Sequence, residues 1–134
     1  MSQFARNWLD VWCFLVVLFG AVLAGAAWPQ TDEPAHRLLS FLNPAVNETL
    51  NDTERFAVGL MGAVTIGWGL TLLYLIRAAH KYGPPLWRHI TIVAVVWYVI
   101  DGAISIATGF GLNVYSNTIL IAGLLIPIYT ARKI

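Results

Sequence analysis

Asp101 is the residue of this chain best placed to do chemistry, because it is an acid set in an apolar run, with Val99-Ile100 before it and Gly102-Ala103-Ile104 after it. A carboxyl group can accept hydrogen bonds, carry a proton or meet a cation, and in an apolar medium it does so without competition from water. At helical spacing Trp97, Tyr98, Ser105 and Thr108 share its face, at offsets of four, three, four and seven residues. Thr65, Trp68 and Thr71 would line an opposing wall. Asn113 and Asn117 would close the outer end, so a small ligand-binding cavity around Asp101 is one expectation. The other is a hydrogen-bonded knot between helices that binds nothing. With no positive partner in reach, this acid is expected to be neutral and to donate a hydrogen bond to a neighbouring helix.

Other chemistry finds little material. Asp10 stands where an acid meets the positive start of a helix, one turn from Arg6, which gives it a structural task. His80 and His89 flank a loop near Arg77 and Arg88, where solvation explains them, and neither lies deep enough to ligate haem as a facing pair. Cys13 is the single cysteine, so neither a disulfide nor a thiolate metal cluster can form within the chain. No metal site, cofactor or catalytic residue is therefore assigned. No apolar stretch contains a lysine able to form a Schiff base with a retinal-like aldehyde. An enzyme acting on lipid or quinone is the weakest reading, since no nucleophile and base can be named and Asp101 beside Tyr98 would at most polarise a carbonyl.

The elements that position Asp101 follow from composition. Of 134 residues 58% are hydrophobic and 11% charged, against about half and a quarter in ordinary soluble domains, and the mean hydropathy is +0.69. A soluble domain this short keeps much of its surface wet and could not hide that much apolar area. Lipid is the solvent that resolves the mismatch. A hydrocarbon layer roughly 30 Å thick takes about 20 residues of helix, and four stretches fit: 9–28, 56–76, 90–110 and 114–131. Asp101 then lies about 11 residues, roughly 16 Å, inside the third, at a cost of about 3 kcal/mol on insertion scales. A spanning segment must satisfy its own backbone, so the fold class is all-α: a single four-helix transmembrane bundle, up-down-up-down.

Basic residues set the direction. Arg6, Arg77, Lys81, Arg88, Arg132 and Lys133 fall on one side, and Arg37 and Arg55 on the other among Asp32, Glu33, Glu48, Asp52 and Glu54. Lys and Arg are retained in the cytoplasm, so both termini are expected there and the protein in the cell (inner) membrane. Trp8, Trp12, Trp87 and Tyr129 would mark the inner interface, Trp28 and Tyr115 the outer. Gly25, Ala26 and Ala27 at the end of the first span resemble a signal-peptide cleavage site, but the apolar run is long for one and a retained helix is expected.

The outer loop, 29–55, holds a stretch from His36 to Leu42 that would form either a surface helix or a loop covering the helix tops. Asn51-Asp52-Thr53-Glu54 is a capping box for the second span. Asn47-Glu48-Thr49 and Asn51-Asp52-Thr53 match the glycosylation triplet, a pattern frequent by chance. Lys81-Tyr82-Gly83-Pro84-Pro85 makes the second and third spans a hairpin, and Gly109, Gly111 and Asn113 mark another turn.

Helices in lipid associate mainly through small residues. Gly20 and Ala24 in the first, Gly59, Ala63 and Gly67 in the second, and Ser105 and Gly109 in the third are spaced by four. These faces would assemble the bundle, or serve a homo-oligomer or a larger membrane complex. Membrane lipids are the expected surroundings. A net charge of +1 with no basic block argues against nucleic acid. Small multidrug transporters carry their carboxylate in the first span, not the third, so that resemblance fails. The leading expectation is a non-enzymatic bundle binding a hydrophobic small molecule or lipid around Asp101, or docking to a membrane complex. A proton-coupled transporter cycling Asp101 is the alternative.

Overall fold

The computed structural model describes residues 1–130 and contains helices only among them: α1 (Gln3–Ala24), a 3-10 turn (Gly25–Ala27), α2 (Glu33–Leu42), α3 (Asp52–Tyr82), α4 (Pro84–Ala107) and α5 (Leu112–Thr130). Four of these, α1 with its 3-10 extension and α3 to α5, are long and apolar enough to cross a membrane, with 25, 31, 24 and 19 residues. The protein is an integral membrane protein by that criterion. The helices overrun the expected spans at several ends, because polar residues outside the hydrocarbon continue a helix as readily as apolar ones inside it. Arg132 and Lys133, used above for direction, and Ala131 lie outside the described residues.

By internal contacts the chain divides into two units, one made of residues 14–70 and the other of Met1–Cys13 with the chain from Thr71 onward. In the first, α1 and α3 meet through glycine. A Cβ on Gly62 would stand 2.1 Å from the Ala24 nitrogen, and one on Gly20 would stand 2.7 Å from the Ile66 nitrogen. Such backbone approach is what small residues permit in lipid, where dispersion rather than water exclusion drives association.

The packing face of α3 is Gly59, Gly62, Ile66 and Gly69, not the expected Gly59, Ala63 and Gly67. Steps of four advance 40° each around a helix of 100° per residue, so three such positions drift off the contact line, whereas steps of three, four and three hold it. Ala63 is exposed, and nothing lies within 4 Å of a Cβ placed on Gly67.

The outer segment of this unit is ordered by local chemistry. Asn51 Oδ1 accepts from the Glu54 N–H at 3.0 Å, and Glu54 Oε2 accepts from the Asn51 N–H at 2.8 Å, completing the reciprocal cap that starts α3. The next residue, Arg55, pairs with Asp32 at 2.5 Å, both side chains being largely buried. Helix α2 covers an apolar cluster: Ala35 is buried beside Leu23, Ala26, Leu50 and Val58, with Leu38 and Leu39 packed on it. Phe41 remains exposed.

In the second unit α3 and α4 are joined by Gly83 alone, at φ 87°, a left-handed conformation for which glycine has no Cβ penalty. Helix α4 ends in a Schellman motif, with Gly109 at φ 83°, Gly109 N–H donating to the Ile106 carbonyl and Phe110 N–H to that of Ser105 at 2.8 Å. Helices α4 and α5 run antiparallel, since Thr91 meets Tyr129 and Tyr98 meets Thr118.

Helix α5 contains Pro127, which has no N–H to offer the carbonyl of Gly123 four residues earlier. Trp8 supplies the missing donor: its Nε1–H reaches that carbonyl at 2.8 Å, and Trp12 Nε1–H reaches the Leu120 carbonyl at 3.0 Å. Trp12 and Trp87 are buried, at 7% and 5% exposure, so they pack against neighbouring parts of the protein.

The glycine contact predicts an asymmetry between neighbours on one helix. Gly62→Ala drives a methyl into backbone atoms that cannot rotate away and should cost about 1–3 kcal/mol, whereas Gly67→Ala should leave the unfolding midpoint in detergent nearly unchanged. Equal effects in thermal or SDS unfolding would contradict this packing.

Candidate functional site

The site is built from two helices brought antiparallel. Asp101 stands six residues, roughly 9 Å, before the end of α4, about as far from the last residue of the helix as from its middle. Asn113 and Asn117 occupy the first two turns of α5, one turn apart, so both side chains fall on one face. The Schellman turn sets the separation, because it holds the Ser105 carbonyl and reverses the chain within a few residues.

All three polar neighbours converge on one atom. Asp101 Oδ1 accepts from Ser105 Oγ at 3.2 Å, from Asn113 Nδ2 at 2.9 Å and from Asn117 Nδ2 at 2.5 Å. Asn113 Nδ2 also donates to Ser105 Oγ at 3.0 Å, using its second N–H. Ser105 and Asn117 are buried, at 5% exposure each, while Asp101 is half-buried. The sequence led us to expect Asp101 to donate a hydrogen bond to a neighbouring helix; here Oδ1 is an acceptor three times over, from donors on its own helix and on α5.

Oδ2 is different. Among the described residues none donates a hydrogen bond to it, and no buried side-chain nitrogen or oxygen among them lacks a partner. Oδ2 is therefore accessible at the protein surface. One carboxyl oxygen is saturated by the protein and the other is presented outward, with orientation fixed by the bonds to the first. Beside it, nothing lies within 4 Å of a Cβ position on Gly102, which leaves room along the backbone.

Of the other expected site residues, Tyr98 lies one turn before Asp101 and its hydroxyl shares a 2.8 Å hydrogen bond with Thr118, a residue that sequence spacing did not single out. The signal for Thr118 is its position one residue after Asn117, at the end of the polar stretch that opens α5. Thr108 caps the end of α4 and returns its hydroxyl to the Ile104 carbonyl, 2.8 Å away on its own helix, so it joins no cluster with Asp101. Trp97 is half-buried on α4 and Thr71 exposed on α3. Thr65 and Trp68 belong to the other unit, and Thr65 donates to its own helix at Met61.

The remaining candidates are engaged elsewhere. Asp10 pairs with Arg77 at 3.3 Å rather than with Arg6. His80 is half-buried, not merely solvated: it packs edge-on against Trp87 with ring centroids 5.0 Å apart, and its Nδ1–H donates to the Ile76 carbonyl. No group of three or more His, Cys, Asp or Glu that could hold a metal ion occurs among the described residues. No family model, curated protein or solved structure matches the chain.

The hub gives a stability prediction. Asp101→Leu strands the buried Asn117 amide, at about 1–3 kcal/mol for a buried polar group left without a partner, and leaves Asn113 only its bond to Ser105. Asp101→Asn keeps an acceptor oxygen and should cost no more than about 1 kcal/mol, the scale of hydrogen bonds in membrane proteins. Unfolding in mixed micelles checks the ranking, and a Leu variant as stable as the Asn variant would show that the hub contributes nothing.

Proposed function

We propose that this protein is a non-enzymatic membrane bundle, up-down-up-down with both termini cytoplasmic, that binds a membrane-soluble small molecule through the outward oxygen of Asp101. The observation that carries this reading is the division of labour within one carboxyl group. Oδ1 takes three hydrogen bonds and Oδ2 takes none from the described residues. A carboxyl group that served only to tie α4 to α5 would gain by saturating both oxygens, because an unmet acceptor at lipid depth is costly. A fixed, half-satisfied group is instead the form of a preorganised binding residue, with a supporting shell behind it.

The ligand class follows from the acceptor. It is a largely apolar molecule with one hydrogen-bond donor, a hydroxyl or an amine, small enough to lie along the α4–α5 face beside Gly102. Tyr98 and Thr118 would flank its body one turn from Asp101. The positive-inside distribution of Arg6, Arg77, Lys81 and Arg88 supports the orientation. An accessible Oδ2 also suits a proton carrier, which keeps proton-coupled transport as the second reading.

Purification in mild detergent followed by extraction and mass spectrometry tests the binding. Wild-type protein should carry a stoichiometric apolar molecule with a hydroxyl or amine, and folded Asp101→Asn, whose side chain presents an amide in place of the outward oxygen, should lose it. An empty wild-type protein, or equal loading of both, would remove the proposal. Proton-driven flux in proteoliposomes that Asp101→Asn abolishes would replace it by transport.

A further inference from the structure

We propose that a second site, at the start of α4, seats the headgroup of an anionic phospholipid. Pro84, Pro85, Arg88, His89 and Ile92 line an open groove of about 470 Å³. Its chemistry is divided along the helix. Arg88 supplies positive charge and N–H donors and His89 a polar ring, whereas Ile92, one turn further into the apolar run, and the two proline rings supply hydrocarbon. An occupant with an anionic head and an acyl tail would match both halves; a soluble anion would use only the first.

The charge here is uncompensated. The chain carries no Asp or Glu between Phe56 and Ile100, so the acids nearest in sequence lie well away from this turn. Arg77 is met by Asp10. Arg88 has no ion-pair partner among the described residues, and Lys81 close by lies over the Tyr82 ring at 5.1 Å. Arginine suits a phosphodiester because its planar fork can bond two oxygens at once.

His89 complements it. Its ring Nδ1 lies 2.8 Å from the Pro85 carbonyl, and since a carbonyl can only accept, Nδ1 carries the proton and donates. With that proton on Nδ1, Nε2 of the neutral ring is an acceptor, suited to a hydroxyl of the headgroup rather than to its phosphate. Both Arg88 and His89 are exposed, and they stand just before the apolar run that begins at Ile90, the depth at which headgroups lie.

The test uses the full chain in bilayer nanodiscs of phosphatidylcholine doped with phosphatidylglycerol, released for native mass spectrometry. Wild-type protein should retain phosphatidylglycerol in preference to phosphatidylcholine. Removing one basic residue, as in Arg88→Gln, should weaken that retention about fivefold, and adding His89→Gln should weaken it further. Arg37→Gln, at a basic residue on α2, should leave it unchanged. Ile92→Ser should shorten retention while preserving the preference for the anionic head. Equal retention of the two lipids, or phosphatidylglycerol retention indifferent to Arg88→Gln, overturns the proposal. Displacement of the lipid by inorganic phosphate alone overturns it too, in favour of a soluble anion. Asp101→Asn leaves this result unchanged, so failure here and failure at Asp101 are read separately.

Discussion

The constraint on which the structure depends is that, in hydrocarbon, a polar group has no water to fall back on. Every N–H, carbonyl and hydroxyl must find its partner within the protein, or accept a ligand or lipid headgroup in its place. Hydroxyls obey it locally: Thr65, Thr91, Thr108, Thr118 and Thr130 each donate to the carbonyl four residues earlier in their own helix. That bond is available at any position of a helix, which is why threonine is tolerated at lipid depth without a tertiary partner.

Where the local solution fails, a tertiary one replaces it. Pro127 opens the hydrogen-bond ladder of α5 at Gly123, and the indole of Trp8 closes it from α1. The absence of a side chain on Gly123 is part of the arrangement, because a Cβ there would approach the Trp12 ring at 3.1 Å. A proline, a glycine and two tryptophans far apart in sequence thus form one contact. Asp101 follows the same logic, with its first oxygen met by α5 and its second turned outward.

Two kinds of helix contact coexist. Residues 14–70 associate mainly through glycine, with backbone against backbone, and Arg55 pairs with Asp32 at the outer end. The unit containing α4 and α5 associates through hydrogen bonds between side chains, Tyr98 with Thr118 and Asp101 with Asn113 and Asn117. The first kind demands shape alone. The second also specifies register, since shifting α5 by one residue would carry both asparagines about 100° away from the carboxyl group.

Hydropathy and length determined the medium and the four spans, and residue types three apart determined the capping box, because each rests on free energies that add up along a single segment: transfer of apolar side chains into lipid, or hydrogen bonds reaching three residues. Asp101, Ser105, Asn113 and Asn117 could likewise be read as a polar set from helical spacing. What spacing could not give was which acceptor they share, or that Tyr98 would turn to Thr118 while Thr108 bonded its own helix. Likewise, small residues were visible on α3, yet whether Ala63 or Gly62 met α1 depended on a rotation of about 100° between adjacent positions. Tertiary structure decided these points, since rotation and register about a helix axis are set by the partner helix and leave no mark on the hydropathy of the segment itself.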